Sequence, residues 1–273
     1  MKSPSPFFLL ALLALPACTR NAGPTSPGNG LSAHIESISG HISNWTHGDQ
    51  RFISLCFPDS QMMTRISSTS AIDLNGNFTL SNLSAASPHA WGTAPYPTEQ
   101  LYFNFIENTL TCSDSSVILV PGQMQVSASA PSNLFLEDWL GYVWKATYDT
   151  TRAMQPGDYE VSYVYATKDL VLTGTVKTSI RIPTDTTEIR HIMHYDLNFV
   201  QGWNQQIRTL LTQRSIQDSS RIVHEAEYSL VGFDPGSAKW ISLANNSLPP
   251  NQSLPDEQHR GFVRRQGRRN STS

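Results

Sequence analysis

The chain has 273 residues, with 19 lysine and arginine side chains against 22 aspartate and glutamate side chains, a formal net charge of −3. A net charge that is slightly negative argues against a protein whose whole surface binds nucleic acid. A 10% share of aromatic residues, with frequent threonine and valine, favours a β-rich globular protein of one large or two small domains.

Residues 1–17 predict an export signal. Lys2 is the only charge there, and an apolar run extends from Phe7 to Leu15. This run is shorter than the ~20 residues that span a bilayer, but it has the length of a signal h-region. A buried N-terminal helix is the alternative, and Pro4 and Pro6 suit a processing segment better. Cleavage after residue 17 leaves 18 basic and 22 acidic side chains, a net charge of −4.

The sequence Leu15-Pro16-Ala17-Cys18 resembles the lipobox of bacterial lipoproteins. The resemblance implies cleavage before Cys18, transfer of diacylglycerol to its sulfur, and a membrane-anchored protein of the cell envelope that faces the periplasm or the exterior. Pro16 departs from the usual lipobox, which has a small or aliphatic residue there. Ordinary signal cleavage near Ala17 is the alternative, but Leu15 is large for the third position before that cut.

Lipidation of Cys18 leaves Cys56 and Cys112 as a pair. Two cysteines outside the cytoplasm favour a disulfide, so the sequence predicts a bond between them. Two buried free thiols are the alternative.

Residues 18–30 are rich in glycine, proline, serine and asparagine, and we expect a flexible tether. Alternating apolar residues begin near residue 31 and predict strands. Within "AIDLNGNFTLSNL", Asn75-Gly76 predicts a type I′ hairpin turn, because both residues tolerate positive φ. A calcium loop is the alternative to this turn. In a loop that starts at Asp73 the glycine is at the fourth position rather than the sixth, and Ser84 occupies the twelfth position, where a calcium loop has a glutamate.

The segments "ISGHISNW" and "DLNGNFTLSNL" resemble the carboxypeptidase-regulatory, transthyretin-like β-sandwich domains of secreted proteins. The resemblance implies such a sandwich over residues 31–127. Domains of this kind are usually spacers or binding modules.

A second antiparallel β domain is predicted over residues 132–243, after the boundary segment "SASAPSN". The period of two places Tyr159, Val161, Tyr163 and Tyr165 on one face of a strand. The segment "YDLNFVQGWNQQ" reads as a hairpin, and it resembles a motif of uncharacterised exported bacterial lipoproteins. Short turns between successive strands predict antiparallel pairing.

Residues 244–273 turn polar and proline-rich, and we expect a disordered basic tail. Its functional interpretation is an arm that contacts anionic lipid or polymer, and the alternative is a solvated tail without a role. Five arginines cluster in this tail: Arg260, Arg264, Arg265, Arg268 and Arg269.

The sequence contains no G-x-S-x-G, Walker, dinucleotide-binding or H-E-x-x-H motif. His191 and His194 lie on opposite faces of one strand, whereas His191 and His224 can meet across neighbouring strands. Packed histidines explain that pair better than a metal does, and we expect neither metal nor cofactor. A group of acids falls on the other face, where isolated surface charges are the ordinary explanation: Asp196, Glu225 and Glu227.

The aromatic residues have two interpretations. Alternation predicts that most of them belong to the core, and the alternative is an exposed surface that binds a glycan or a protein. The candidate binding residues are Trp91, Tyr96 and Trp139.

Together these patterns predict an all-β, lipid-anchored envelope protein that is a non-catalytic binding, spacer or assembly module. Its expected partners are the membrane, through the lipid, and an envelope protein or glycan, with no nucleic acid. The alternative function is a hydrolase of envelope or extracellular polymers whose active site no motif reveals.

Overall fold

The structure, a computed structural model, describes residues 34–58, 64–83, 102–131, 139–149, 151–181, 186–218, 221–232 and 236–244. All regular elements in these ranges are β-strands, which confirms the predicted all-β class. The predicted signal peptide, tether and basic tail lie outside the described residues.

Fourteen strands make up the described part of the chain. They are β1 (Ile38–His41), β2 (Arg51–Pro58), β3 (Thr64–Ile72), β4 (Asn77–Leu80), β5 (Tyr102–Asn108), β6 (Thr111–Cys112), β7 (Leu119–Ser127), β8 (Trp139–Ala146), β9 (Tyr159–Ala166), β10 (Leu170–Arg181), β11 (Thr187–Phe199), β12 (Gly202–Asp218), β13 (Arg221–Val231) and β14 (Lys239–Ala244).

Two sheets contain these strands. Strands β1 and β4 pair with each other, and the other twelve form one continuous sheet with the order β3-β2-β7-β8-β9-β12-β13-β11-β10-β5. Strand β14 joins this sheet at β8, and β6 joins it at β10. The sheet branches at β7, whose first half pairs with β9 and whose second half pairs with β2 and β8.

The largest core lies where the branch containing β2 and β7 packs against β9, β12 and the small sheet. Tyr159, Val161 and Tyr163 are buried there and Tyr165 packs against them, so the predicted common face is confirmed as a core face. Trp203 is 2% exposed and contacts the rings of Phe57 and Tyr165. Burial of such large aromatic surfaces is the main favourable term in folding this layer.

A second core packs against one face of the long strands β10, β11 and β13. Val176, Met193, Leu197 and Leu230 alternate with outward-facing residues along these strands and are all buried. The period of two therefore gives each long strand one apolar face and one polar face.

One pairing differs from the antiparallel prediction: β11 and β13 are parallel. The predicted hairpin between β11 and β12 is wrong, because β11 pairs with β10 and β13, whereas β12 pairs with β9 and β13. The β12–β13 hairpin folds back so that β13 lies between β12 and β11. A two-residue turn seen in sequence fixes a reversal of the chain but does not fix which strands pair.

The turn between β11 and β12 is held by Asn204. Its buried side chain accepts a hydrogen bond from Val200 N at 3.0 Å and donates to Val200 O at 2.7 Å and Gly202 O at 2.8 Å. Gly202 has φ of 111°, a conformation that strongly favours glycine. The Gly-Trp-Asn motif thus has a structural explanation, because it shapes the turn and packs Trp203 into the core.

The Asn75-Gly76 turn forms, but its type and its strands differ from the prediction. Gly76 has φ of 83°, whereas Asn75 is not in the positive-φ region, so a type I′ turn is wrong. The turn links β3 to β4, and β4 pairs with β1 rather than with β3. Asp73 directs its carboxylate to Asn75 N, Asn77 N and the Asn77 amide, which explains the spacing of these polar residues without a metal.

Strand pairing connects the two sides of the predicted domain boundary at residues 127–133. Strands β5 and β6 pair with β10, and β7 pairs with β8 and β9. The division into domains and the transthyretin-like resemblance of residues 31–127 stay predictions, but the two segments share one sheet.

Candidate functional site: the outward face of the long strands

A line of polar side chains crosses the outward face of four adjacent strands. Thr175 Oγ1 on β10 lies 2.9 Å from His194 Nδ1 on β11, and His194 Nε2 lies 2.7 Å from Glu227 Oε1 on β13. Thr212 on β12 donates to the other Glu227 oxygen at 3.1 Å. The hydrogen bond from His194 holds the pKa of Glu227 below its usual value. In this line, hydrogen bonds join a hydroxyl to an imidazole and the imidazole to a carboxylate.

Two buried carboxylates lie further along the same face, and each is held by two basic groups. The first is Glu188 on β11, whose side chain is 3% exposed. Arg190 Nε donates to its Oε1 at 2.6 Å, and Arg221 Nη1 lies 3.9 Å from its Oε2.

Glu225 on β13 is the second of these carboxylates, with its side chain 6% exposed. Arg214 donates to its Oε1 through Nε at 2.9 Å and also through Nη2, and Lys177 Nζ lies 3.8 Å from its Oε2. A buried carboxylate requires such partners, since an uncompensated buried charge costs several kcal/mol.

An ionic cluster also lies inside the molecule, on the face of β9 and β12 that points away from the largest core. Glu160 and Arg208 are opposite each other in register and form a buried ion pair. Tyr148 donates to Glu160 Oε2 at 3.0 Å, and the Arg208 guanidinium carbon lies 5.1 Å from the Tyr228 ring centroid. Burial, with the neighbouring Glu160 charge, raises the pKa of Tyr148, so its hydroxyl stays protonated as a donor.

His191 faces this interior cluster rather than the outward face. Its ring lies 5.7 Å from the Tyr228 ring in an edge-on arrangement. Burial, and secondarily the charge of Arg208, lowers the pKa of His191 to about 4, so the imidazole is neutral at neutral pH. Loss of solvation of the charged imidazolium is therefore the main cause of the lowered pKa of His191.

The two histidines expected to approach each other occupy different register positions. His191 is opposite Ala226, whereas His224 is opposite Ile189 and lies 2.8 Å from Ser215 Oγ through its Nδ1. Among the residues that the structure describes, no group of three histidine, cysteine, aspartate or glutamate side chains has the geometry of a metal site.

The predicted aromatic surface is only partly described, because Trp91 and Tyr96 lie outside the described residues. Trp139 on β8 is half-buried, with its ring 4.9 Å from the Tyr142 ring and its Nε1 donating to Gly141 O at 3.0 Å. Cys18, the predicted lipidation site, also lies outside the described ranges.

The predicted disulfide between Cys56 and Cys112 is absent from the structure, which contains both residues as thiols. Cys56 is on β2, which pairs with β3 and β7, whereas Cys112 is on β6, which pairs with β10. The two strands are not neighbours, and a disulfide needs Cα atoms within about 7 Å. Burial raises the pKa of Cys56 to about 12.

The sequence prediction missed the basic members of the outward face. Glu225 and Glu227 were placed on this face, but they pair with arginine, lysine and histidine rather than with each other. The period of two in "TEIRHIMH" already puts Glu188, Arg190 and His194 on one face. Their partners on β10 and β12 required knowledge of which strands are adjacent.

No family model, curated protein or solved structure matches this chain. The part of the chain that the structure describes contains no helix that could span a bilayer.

Proposed function

We propose that this protein is a lipid-anchored cell-envelope protein and that it acts as a non-catalytic binding, spacer or assembly module. Cys18 is the proposed lipidation site, and the mature chain faces the periplasm or the exterior. The observation that carries the proposal is the cysteine at the end of a short apolar run, after a positively charged start.

The physical argument for the anchor is the free energy of acyl-chain burial. Each buried CH₂ contributes roughly 0.8 kcal/mol, so two or three chains on one cysteine hold a protein far longer than a single chain does. A tethered protein needs no membrane-spanning segment of its own. The proposal is compatible with a polar, all-β body.

Metabolic labelling tests the anchor. Cells that express the full chain or its Cys18→Ser variant are fed an alkyne-bearing palmitate, and label on the purified protein is measured. We expect label on the full chain and its loss in the variant, with Cys112→Ser as a matched control that keeps the label. Equal label in the full chain and in Cys18→Ser rejects the anchor.

A binding role is supported by the distribution of polar groups on the long strands. One face is a buried apolar core, and the other carries ordered hydrogen bonds and ion pairs, including Thr175, His194 and Glu227. Ordered side chains on rigid strands present fixed chemistry to a partner at low entropic cost.

The Thr175–His194–Glu227 line favours one alternative, a hydrolase. Its distances of 2.9 Å and 2.7 Å suit a nucleophile, a base and a group that orients the base. The measurement is hydrolysis of a soluble nitrophenyl ester by the purified chain and by His194→Gln. Turnover that the variant abolishes establishes the hydrolase, and equal background rates reject it.

A further inference from the structure

Strand β12 extends past the strand that pairs with its outer edge. Strand β9 pairs with β12 only as far as Thr209. The turn before β9 adds a last contact, because Gly157 N donates to Leu210 O at 2.8 Å and Leu210 N donates to Asp158 O at 3.0 Å. From the next residue on, β13 is the only described strand that pairs with β12. We call this part of β12 the free edge: residues 211–218.

The free edge is open to solvent over most of its length. Every residue from Leu211 to Gln217 is exposed except Ile216, which is half-buried. Because successive side chains of a strand point to opposite faces, neither face of this segment is fully covered. A β-bulge at Leu211 marks where the free edge begins, and regular register with β13 follows from Thr212 to Asp218. The segment therefore presents a regular strand edge, whose backbone N–H and C=O groups can pair with another strand.

Another edge of this sheet shows how the fold caps exposed backbone groups. Strand β14 pairs with β8 on one side, and on its other side Asn44 Nδ2 donates to Ser242 O at 2.9 Å. Ser242 N donates to Asn44 Oδ1 at 2.8 Å, so one amide side chain replaces a further strand. On the free edge, three polar side chains bond to β13 side chains instead: Thr212 to Glu227, Arg214 to Glu225, and Ser215 to His224. The free edge also contains no proline, a residue that protects many exposed edges.

We propose that the free edge pairs with the free edge of a second copy of this chain, antiparallel and centred on Ile216, so that two sheets join across a two-fold axis. In such a pairing, residues at equal distances from the centre lie opposite each other. Arg214 of each copy is then opposite Asp218 of the other copy, and Ser215 is opposite Gln217. This inference goes beyond the proposed envelope role and does not depend on the anchor.

Charge favours this register over the two preceding ones. A pairing centred on Arg214 places two guanidinium groups directly opposite each other, which is destabilising. A pairing centred on Ser215 places Arg214 opposite Ile216, so no ion pair forms across the axis. The register centred on Ile216 gives two Arg214–Asp218 pairs and brings two half-buried isoleucine side chains together at the axis.

The charges on one face then alternate across four strands. Within each hairpin, Arg214 is opposite Glu225 and Asp218 is opposite Arg221. Joining two hairpins gives a row of Glu225, Arg214, then Asp218 and Arg221 of the second copy. Arg214 keeps its internal partner in this row, because its side chain is 65% exposed and a guanidinium group has several N–H donors. Opposite charges that face each other across paired strands stabilise the pairing.

The length of the free edge also suits this register. Strand β12 of the second copy ends at Asp218, opposite Arg214, and so stops short of Leu210. The turn at Gly157, which already occupies the edge beside Leu210, is therefore not displaced. The paired segment is short, so we expect a dimer that dissociates on dilution.

Sedimentation velocity of the purified chain tests the proposal from about 1 to 100 μM, with Cys18→Ser so that no lipid contributes. We expect a concentration-dependent shift to a species of twice the monomer mass. Ile216→Lys places like charges at the axis and should remove the dimer over this range. The control is Leu74→Lys, at a side chain that is 67% exposed in the turn between β3 and β4, and it should leave the dimer unchanged. Asp218→Asn removes both ion pairs and should weaken dimerisation about fivefold.

Disulfide cross-linking tests the register. In a background with Cys18→Ser and Cys112→Ser, the buried Cys56 is the only other thiol. Ile216→Cys should form a linked dimer under mild oxidation, because opposite Cα atoms of antiparallel strands lie about 4.5–5.5 Å apart, a distance that a disulfide spans. Gln213→Cys, on the same edge but away from the axis, is the matched control and should not cross-link.

Three results overturn the proposal. The first is a monomer at every concentration, as expected if the free edge pairs with a different protein. The second is equal dimerisation of Ile216→Lys and Leu74→Lys, and the third is cross-linking of Gln213→Cys that is as fast as that of Ile216→Cys. The palmitate result is independent of all three, so failure of the anchor and failure of the dimer are distinguishable.

Discussion

Replacing His191 with phenylalanine tests how burial controls charge inside the sheet. The imidazole faces Arg208 from β12, Tyr228 from β13 and Thr178 from β10, its register partner. Phenylalanine keeps a ring of similar shape against Tyr228 but has no group to protonate. The substitution therefore isolates the titration from most of the packing.

The magnitude follows from the difference between two pKa values. Burial lowers the pKa of folded His191 to about 4, whereas an unfolded histidine titrates near pH ~6.5. Because the folded state disfavours the proton, the stability from this residue is complete above pH ~6.5 and is lost as the pH falls towards 4. Between pH ~7 and ~4.5 the loss is about 2.5 kcal/mol.

The assay is urea-induced unfolding of the purified chain at these two pH values, followed by tryptophan fluorescence. The wild-type free energy of unfolding should fall by about 2.5 kcal/mol more than that of His191→Phe. Thr178→Val, a change at the register partner of His191 that leaves the imidazole in place, is the control, and its loss of stability between the two pH values should stay close to that of the wild type. An equal loss in the wild type and in His191→Phe refutes the argument that burial suppresses this proton.

Two substitutions and one chemical reaction test the interior. Glu160→Gln leaves the Arg208 guanidinium without its buried carboxylate, and the free energy of unfolding should fall by about 3–5 kcal/mol in denaturant titrations. Gly40→Ala places a Cβ onto the indole nitrogen of Trp240, so crowding should lower stability by about 1–3 kcal/mol and change the tryptophan emission. Cys56 should not react with a thiol reagent in the folded chain, because it is buried and its pKa is raised to about 12.

Each of these tests has a control or a contrary result. Arg152→Gln removes a more exposed ion pair and should cost much less than Glu160→Gln, because solvent screens that pair. An equal cost in the two variants contradicts the argument from burial. An added Cβ at Gly157 meets no atom within 4 Å, so Gly157→Ala measures backbone strain alone. A reducing agent should not shift the unfolding midpoint, and a clear shift contradicts the absence of a Cys56–Cys112 bond.

Local sequence patterns determined the type of element and the orientation of side chains. The period of two in "DYEVSYVYAT" correctly put Tyr159, Val161 and Tyr163 on one face, because alternation along a strand needs no knowledge of its neighbours. The same reasoning correctly separated His191 from His194. The chain reversal at Gly202, where φ is positive, likewise depends on local backbone conformation.

The tertiary structure decided which strands are adjacent, and with them the contacts of the candidate site. Insertion of β13 between β12 and β11 brings Arg214 to Glu225 and His194 to Glu227, and no local pattern contains that order. The type of the Asn75-Gly76 turn and the separation of Cys56 from Cys112 also depend on packing between distant segments. Sequence periodicity specifies which face a side chain lies on, whereas its partners depend on hydrogen bonding between strands that are far apart in the chain.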